Sequence, residues 1–247
     1  VLLIDEFSLS SPLSIFQAIQ RVGAKRVYLV GDPFQLAPVV HDRNFCWDYK
    51  NFYLTKLVPA NRIEFLQTCY RCPSNIFNTF AGLYQKHRIP LAYHKEGGEV
   101  TWQNISYTIT DDFLKSIQAD LIITNYKAVV VQAARLNINA VTIDSCQGMT
   151  IRHVAVVLVG STNFTKVLNR LNVAFSRATH KLDIYCTPVI EQHIRQHLTA
   201  ELQSELLAQD ASRMVVCDIE FYHVRDLDRE KPNFLGLGEI TAYTTST

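Results

Sequence analysis

The chain has 247 residues, a formal net charge of +1, 48% hydrophobic residues and 19% charged residues. That is the composition of a globular protein, with enough chain for one large domain or two small ones. It excludes a protein coated in basic residues, so a nucleic-acid partner must be held in a local groove and not by a global field. No apolar run approaches the roughly 20 residues of a membrane-spanning helix. No signal peptide is visible.

The first element is the apolar run VLLID, expected to be a buried strand. SPLSIFQAIQRV reads as a helix, with Ser11 as N-cap and Pro12 in the first turn. RVYLVGD is a second buried strand, and SNIFNTFAGLYQK, residues 74–86, a helix that follows Pro73. LIITN, AVTID, VAVVLV and LDIYC read as strands buried on both faces. KAVVVQAARL and about KVLNRLNVAFSRA are the helices between them. Strand–helix alternation of this kind predicts an α/β fold with a parallel sheet. From Pro188 the pattern is helical and polar. MVVCDIEFYH and KPNFLGLGEITAYT then read as two further strands.

The six cysteines are scattered and read as free thiols in a reducing compartment. Cys69-Tyr-Arg-Cys72 has the spacing of half a zinc site, but no second pair completes it. His193 and His197 lie one helical turn apart without the glutamate of a metalloprotease, so a solvated helix face is expected there.

Ligands of parallel sheets sit beyond the C-terminal ends of strands. Asp5-Glu6 ends the first strand, where an Asp can hold a magnesium shell and a Glu can deprotonate an attacking water. Gln35, in GDPFQL after the second strand, can donate and accept at once. Arg71 lies in CYRCP and Arg177 in NVAFSRA, and arginine suits bidentate phosphate contact. Gln147-Gly148 follows AVTIDSC, with hydroxyls at Thr142, Ser145 and Thr150 around the same loop. Taken singly, each has a plainer reading as a helix start, a turn or a surface charge.

Taken in order, strand-DE, GDPxQL, YRCP, TxDSxQG and NVAxSRA resemble the motifs of superfamily 1 helicases. FLQTCYRCPSNIFNTFAGLY and RLNVAFSRA are similar to the helicase of nidovirus replicases, the group of coronaviruses and toroviruses. The resemblance covers about residues 1–200. It implies two RecA-like motor domains, the first truncated, with ATP and Mg²⁺ between them. It also implies 5′-to-3′ movement on RNA or DNA. By the same resemblance Asp5 and Glu6 are the magnesium-binding and water-activating pair, and Gln35 is the γ-phosphate sensor. Arg71 and Arg177 are arginine fingers, and Gln147 with Gly148 forms a loop near the γ-phosphate. The expected boundaries are 1–68 for the C-terminal part of the first RecA-like domain, 69–203 for the second, and 204–247 for a linker and the N-terminal part of another domain.

No Gly is followed by Lys, so the family's phosphate-binding loop is expected upstream of Val1. These 247 residues alone are expected to hydrolyse ATP negligibly. The tail carries a second expectation. Asp218-Ile-Glu220 places two carboxylates at alternate strand positions, the arrangement that shares two divalent metals. In context it resembles the start of the DEDD-type proofreading exonuclease, a 3′-to-5′ exoribonuclease of α/β fold that comes directly after this helicase in coronaviruses and toroviruses. That implies a polyprotein, with main-protease cleavage expected near Gln203/Ser204. The implied partners are single-stranded or duplex RNA and other replicase subunits, including the polymerase. The implied place is host cytoplasm at viral replication membranes. Two readings compete: a cellular helicase sharing the motor motifs, and a degenerate motor that grips nucleic acid without turnover.

Overall fold

The computed structural model describes residues 1–36, 38, 58, 62–64, 66–86, 91–160 and 168–199, and the backbone of Cys217–Glu220. They divide into two units. The first contains β1 (Leu2–Ile4), a 3-10 turn at Phe7–Leu9, α1 (Pro12–Val22), β2 (Arg26–Leu29) and the tail strand Cys217–Glu220. α1 starts where the sequence predicts: the Ser14 N–H donates to Ser11 Oγ (3.1 Å), and Pro12, which has no N–H to satisfy, opens the helix. Ile15 and Ile19 are one turn apart and bury against Val27 and Leu29 of β2, together with Phe7 and Val58.

β1 and β2 are parallel, with Leu2 opposite Val27 and Ile4 opposite Leu29. The segments after them therefore leave from the same edge of the sheet. β1 is only partly buried, where a buried strand was expected. Leu2 and Ile4 pack on the core, but Leu3 points the other way and is 65% exposed. The tail strand pairs antiparallel with β2, from Cys217 opposite Leu29 to Glu220 opposite Arg26.

The second unit takes Phe34–Leu36 and the described residues from Gln67 to Thr199. β3 (Thr68–Cys69) and β4 (Ala92–Tyr93) make a small parallel pair. β5 (Glu99–Asn104), β6 (Leu121–Thr124), β7 (Ala140–Thr142), β8 (Ile151–Leu158) and β9 (Ala178–Cys186) form a five-stranded sheet in the order β5-β9-β8-β6-β7. Every pair in it is parallel.

The central strands carry long apolar runs because both of their faces are covered. Leu121, Ile123, Val154, Val156, Leu158, Leu182 and Ile184 face one core. Ile122, Ala155, Val157 and Tyr185 face the other. The first core is closed by α2 (Ser74–Asn78), α3 (Gly82–Lys86), α6 (Leu168–Phe175) and α7 (Pro188–His197). The second is closed by α4 (Asp111–Ser116) and α5 (Lys127–Arg135). The result is the helix–sheet–helix sandwich of an α/β protein.

Three further expectations need correction, and one strand was not expected. AVTID is the edge strand β7 and is half-buried, because it has a neighbour on one side only. The opposite edge, β5, was not foreseen: in EVTWQN only Val100 and Trp102 pack on the core. Residues 74–86 form two short helices instead of one. The Gly82 N–H leaves the helical ladder for the Leu198 carbonyl (2.9 Å), just beyond the end of α7. The His193 and His197 rings meet at a tilt, 4.6 Å between centroids, and are half-buried, so theirs is not a fully solvated face.

A Cβ at position 82 would fall on the carbonyl oxygen of Thr199, a backbone atom that cannot swing aside. Gly82→Ala is expected to destabilise the protein by about 1–3 kcal/mol. Thermal unfolding of the variant beside wild type reads this, and an unchanged midpoint refutes the close approach.

Candidate active site

Asp5 and Glu6 come directly after β1. The Glu6 N–H donates to Asp5 Oδ1 (2.8 Å), which steadies the exposed Asp5 carboxylate at the strand end. Glu6 itself has φ 51° and ψ 41°, a left-handed conformation uncommon for a side-chain-bearing residue. It is tied in place from beyond: the Phe7 N–H donates to the Val30 carbonyl (3.1 Å) and the Val30 N–H to the Ile4 carbonyl (2.8 Å). Such a backbone persists where its surroundings over-determine it, and it fixes the direction in which the Glu6 side chain leaves.

In the second unit the structure gathers Arg71, Arg177 and the turn at Gly148, which lie up to 106 residues apart in sequence. Arg177 follows α6 and is 1% exposed. Its Nε donates to the Val173 carbonyl (2.9 Å), its Nη1 to the Met149 carbonyl (3.3 Å) and its Nη2 to Ser176 Oγ (2.8 Å). Arg71 Nη1 donates to the Ser176 carbonyl (3.4 Å), so both guanidinium groups are anchored on one residue. The Ile151 N–H donates to the Arg177 carbonyl (3.0 Å), which places the cluster at the N-terminal ends of β8 and β9. Gly148 has φ +80° with open space where a Cβ would stand, so glycine is required there by conformation and not by crowding.

Around the same turn, Thr142 Oγ1 and Ser145 Oγ share a hydrogen bond (2.9 Å), and Asp144 pairs with Arg170 of α6 (3.1 Å). Asn125, just beyond β6, uses its side-chain amide as a piece of strand. It donates to the Val159 carbonyl (2.7 Å) and accepts from the Val159 N–H (3.0 Å), which extends the β6–β8 pairing past its regular end.

Gln35 is half-buried and belongs to the second unit, with Phe34 and Leu36. Its segment is held by two residues that the motif reading missed. Asn169 Nδ2 donates to the Gln35 carbonyl (3.0 Å) and Asn172 Nδ2 to the Phe34 carbonyl (2.9 Å). The available signal was Asn-Arg-Leu-Asn, two amides three residues apart on one helix face. Asp218 and Glu220 lie on the tail strand of the first unit, at alternate positions opposite Tyr28 and Arg26. Gln203 and Ser204 lie outside the described residues.

Cys69, Cys72, Cys146 and Cys186 are free thiols. Among the described residues no group of three or more His, Cys, Asp or Glu could hold a metal ion. A hydrogen bond from the Cys72 thiol, helped by nearby Arg71, holds Cys69 down to about 6 against the opposing effect of burial. The same hydrogen bond, with burial, pushes Cys72 up. Burial pushes Cys146 to about 11 and Cys186 to about 12. The thiolate is the reactive form. Iodoacetamide at neutral pH is therefore expected to modify Cys69 before Cys72, Cys146 and Cys186, with a rate that falls as pH drops through about 6. Mass spectrometry of a pH series checks this, and equal labelling of Cys69 and Cys146 contradicts it.

The fold and this constellation define an α/β protein with carboxylates at a strand end of one unit and clustered arginines in the other. The chain belongs to the family of viral superfamily 1 RNA helicase core domains, whose pattern it matches over residues 1–186. It is 33% identical over its whole length to part of replicase polyprotein 1ab of Berne virus. It is 32% identical over its whole length to part of the same polyprotein of Breda virus 1. The likeness to replicase polyprotein 1ab of bat coronavirus HKU9 is 29% over 75% of the chain. The chain spans 4% of the length of the Berne and Breda polyproteins.

Among solved structures, the PRRSV helicase superposes with a TM-score of 0.56 at 20% identity, over 82% of this chain and 38% of that one. The arterivirus nonstructural protein 10 helicase, solved as a complex with DNA, gives 0.52 at 22% identity over 79% and 41%. These likenesses establish the shared α/β fold. Among the described residues no helix is long and apolar enough to cross a membrane.

Proposed function

We propose that this chain is part of the motor core of an ATP-dependent RNA helicase within a nidovirus replicase polyprotein. One observation carries the reading: the family match over residues 1–186 includes Asp5, Glu6, Gln35, Arg71, Gly148 and Arg177 in helicase order. The clustering of Arg71, Arg177 and the Gly148 turn within one unit supports it.

In this reading Glu6 takes a proton from the water that attacks the γ-phosphorus, while Arg71 and Arg177 stabilise the charge that builds on the leaving ADP. Gln35 senses the γ-phosphate and Gln147-Gly148 lies beside it. Asp5, exposed with its carboxylate steadied by the Glu6 N–H, fits the magnesium shell. Mg²⁺, when bound, neutralises phosphate charge. RNA contacts are to the backbone and therefore weakly sequence-specific. Movement runs 5′ to 3′, and the partners are RNA and other replicase subunits, including the polymerase. The chain acts in the host cytoplasm at replication membranes.

The tail is proposed as the start of a 3′-to-5′ exoribonuclease using two divalent ions, with Asp218 and Glu220 as the first acids. Their alternate positions on one strand support this. The main protease is proposed to cut at Gln203/Ser204. A peptide spanning that junction, incubated with the cognate protease, tests the site; cleavage elsewhere removes it.

The helicase reading is tested on the complete replicase product that contains this chain. Hydrolysis of ATP stimulated by RNA, with strand separation dependent on ATP, is expected. RNA binding without hydrolysis would favour a degenerate, non-catalytic motor instead.

A further inference from the structure

Phe34–Leu36 continues the chain from β2 of the first unit, yet it is built into the second. Four attachments hold it there. Leu36 is 5% exposed within the main core. The Phe34 ring meets Tyr84 edge-on at 5.2 Å between centroids. The Gln35 and Phe34 carbonyls, neighbours along the chain, accept from Asn169 and Asn172 on one face of α6.

The chemistry of the second amide is specific. Asn172 is 1% exposed, and its Nδ2 donates both to the Phe34 carbonyl (2.9 Å) and to the Tyr84 hydroxyl (2.8 Å). A carbonyl can only accept, so the NH₂ end of the amide must face Phe34 and the amide cannot be flipped. A carboxylate would set charge against carbonyl oxygen, and a hydroxyl would not reach both partners. The helix that carries these two asparagines runs straight into Ser176 and Arg177. One rigid element therefore holds the arginine cluster at its end and the Gln35 segment along its side.

We propose that Asn169 and Asn172 are positioning residues. They fasten the Gln35 segment to the helix that presents Arg177, so that a change at the nucleotide moves both together. This rests on the helicase reading and deepens it, because it assigns the connection between hydrolysis and strand movement to two backbone-gripping amides. Neither residue touches a reacting atom. The effect of losing one is on coupling: Gln35 is no longer displaced with Arg177, and ATP is hydrolysed without a step.

The test uses the complete replicase helicase and four forms: wild type, Asn169→Ala, Asn172→Ala and Tyr84→Phe. RNA-stimulated kcat, KM for ATP, base pairs separated per ATP hydrolysed, and the unfolding midpoint are measured for each. Asn169 is only half-buried, so its variant is expected to fold. One net hydrogen bond corresponds to roughly a fivefold change in an equilibrium. Asn169→Ala is thus expected to separate about fivefold fewer base pairs per ATP, with KM and midpoint close to wild type. Asn172→Ala is expected to do the same with a lower midpoint. Tyr84→Phe removes one Asn172 partner but keeps the ring and the bond to Phe34, and is expected to keep the wild-type ratio.

A wild-type ratio in Asn169→Ala overturns the proposal, whether or not Asn172→Ala folds. So does a fall in Tyr84→Phe as large as that in Asn172→Ala, because loosened packing would then explain both. Failure of the helicase reading looks different: wild type itself shows no RNA-stimulated hydrolysis, and the proposal goes with it.

Discussion

Glu6→Gln is expected to lower RNA-stimulated ATP hydrolysis by about 10²–10⁴-fold, the usual worth of a positioned general base. The substitution keeps size and hydrogen bonding but removes the capacity to accept a proton at neutral pH. Binding is expected to survive. The strand end, its hydrogen bonds to Val30 and the Asp5 carboxylate do not depend on the Glu6 side chain. The measurement is a steady-state ATPase assay of the complete helicase with saturating RNA, beside equilibrium binding of a fluorescent nucleotide. A fall in kcat with unchanged nucleotide affinity is the signature of an interaction made only in the transition state. Equal loss of binding and turnover would return Glu6 to a structural role. Glu6→Gly separates backbone from side chain, since glycine adopts the left-handed conformation without cost yet has no carboxylate. It is expected to be as inactive as Glu6→Gln while folding normally.

How legible each strand is in the sequence depends on where it sits in the sheet. β6, β8 and β9 are central and covered on both faces, so their apolar runs read directly as strands. β5 is an edge, and Glu99, Gln103 and Asn104 dilute its pattern below recognition. The break at Thr79–Ala81 could not be read locally, because its cause is the Leu198 carbonyl more than a hundred residues away. The candidate site divides in the same way. Asp5 and Glu6 could be found from a strand ending in acids. That Arg71 and Arg177 meet at Ser176 is a long-range fact, which single-sequence chemistry suggests only through the order of motifs. Asn169 and Asn172 were overlooked because an asparagine on a helix has no characteristic chemistry of its own. Their role comes from the carbonyls opposite them.

Arg177→Ala is expected to lower kcat by about 10³–10⁵-fold, the range for arginine fingers in phosphoryl transfer. Here the structure changes how the experiment must be read. A finger drawn from motif order alone is a charge with little else to do, but Arg177 is buried and holds the Val173 and Met149 carbonyls and the Ser176 hydroxyl. Truncation removes a donor from each of these acceptors, at about 1–3 kcal/mol for any buried one left unsatisfied. Arg177→Ala is therefore expected to lower the unfolding midpoint as well as the rate, and a loss of activity by itself does not identify a finger. Arg177→Lys retains the charge but not the planar fork that serves several acceptors at once. If Arg177 acts on the transition state, the lysine variant stays far below wild-type kcat even at temperatures where it is fully folded, and RNA affinity is roughly kept. If Arg177 only braces the turn at Met149, activity returns in step with the folded fraction. Arg71→Ala supplies the comparison, because Arg71 is less buried and bonds the Ser176 carbonyl at 3.4 Å. A comparable loss of kcat with little loss of stability there would show that the two guanidinium groups anchored on Ser176 share the work on phosphate. Holding the cluster together would then fall to Arg177 alone.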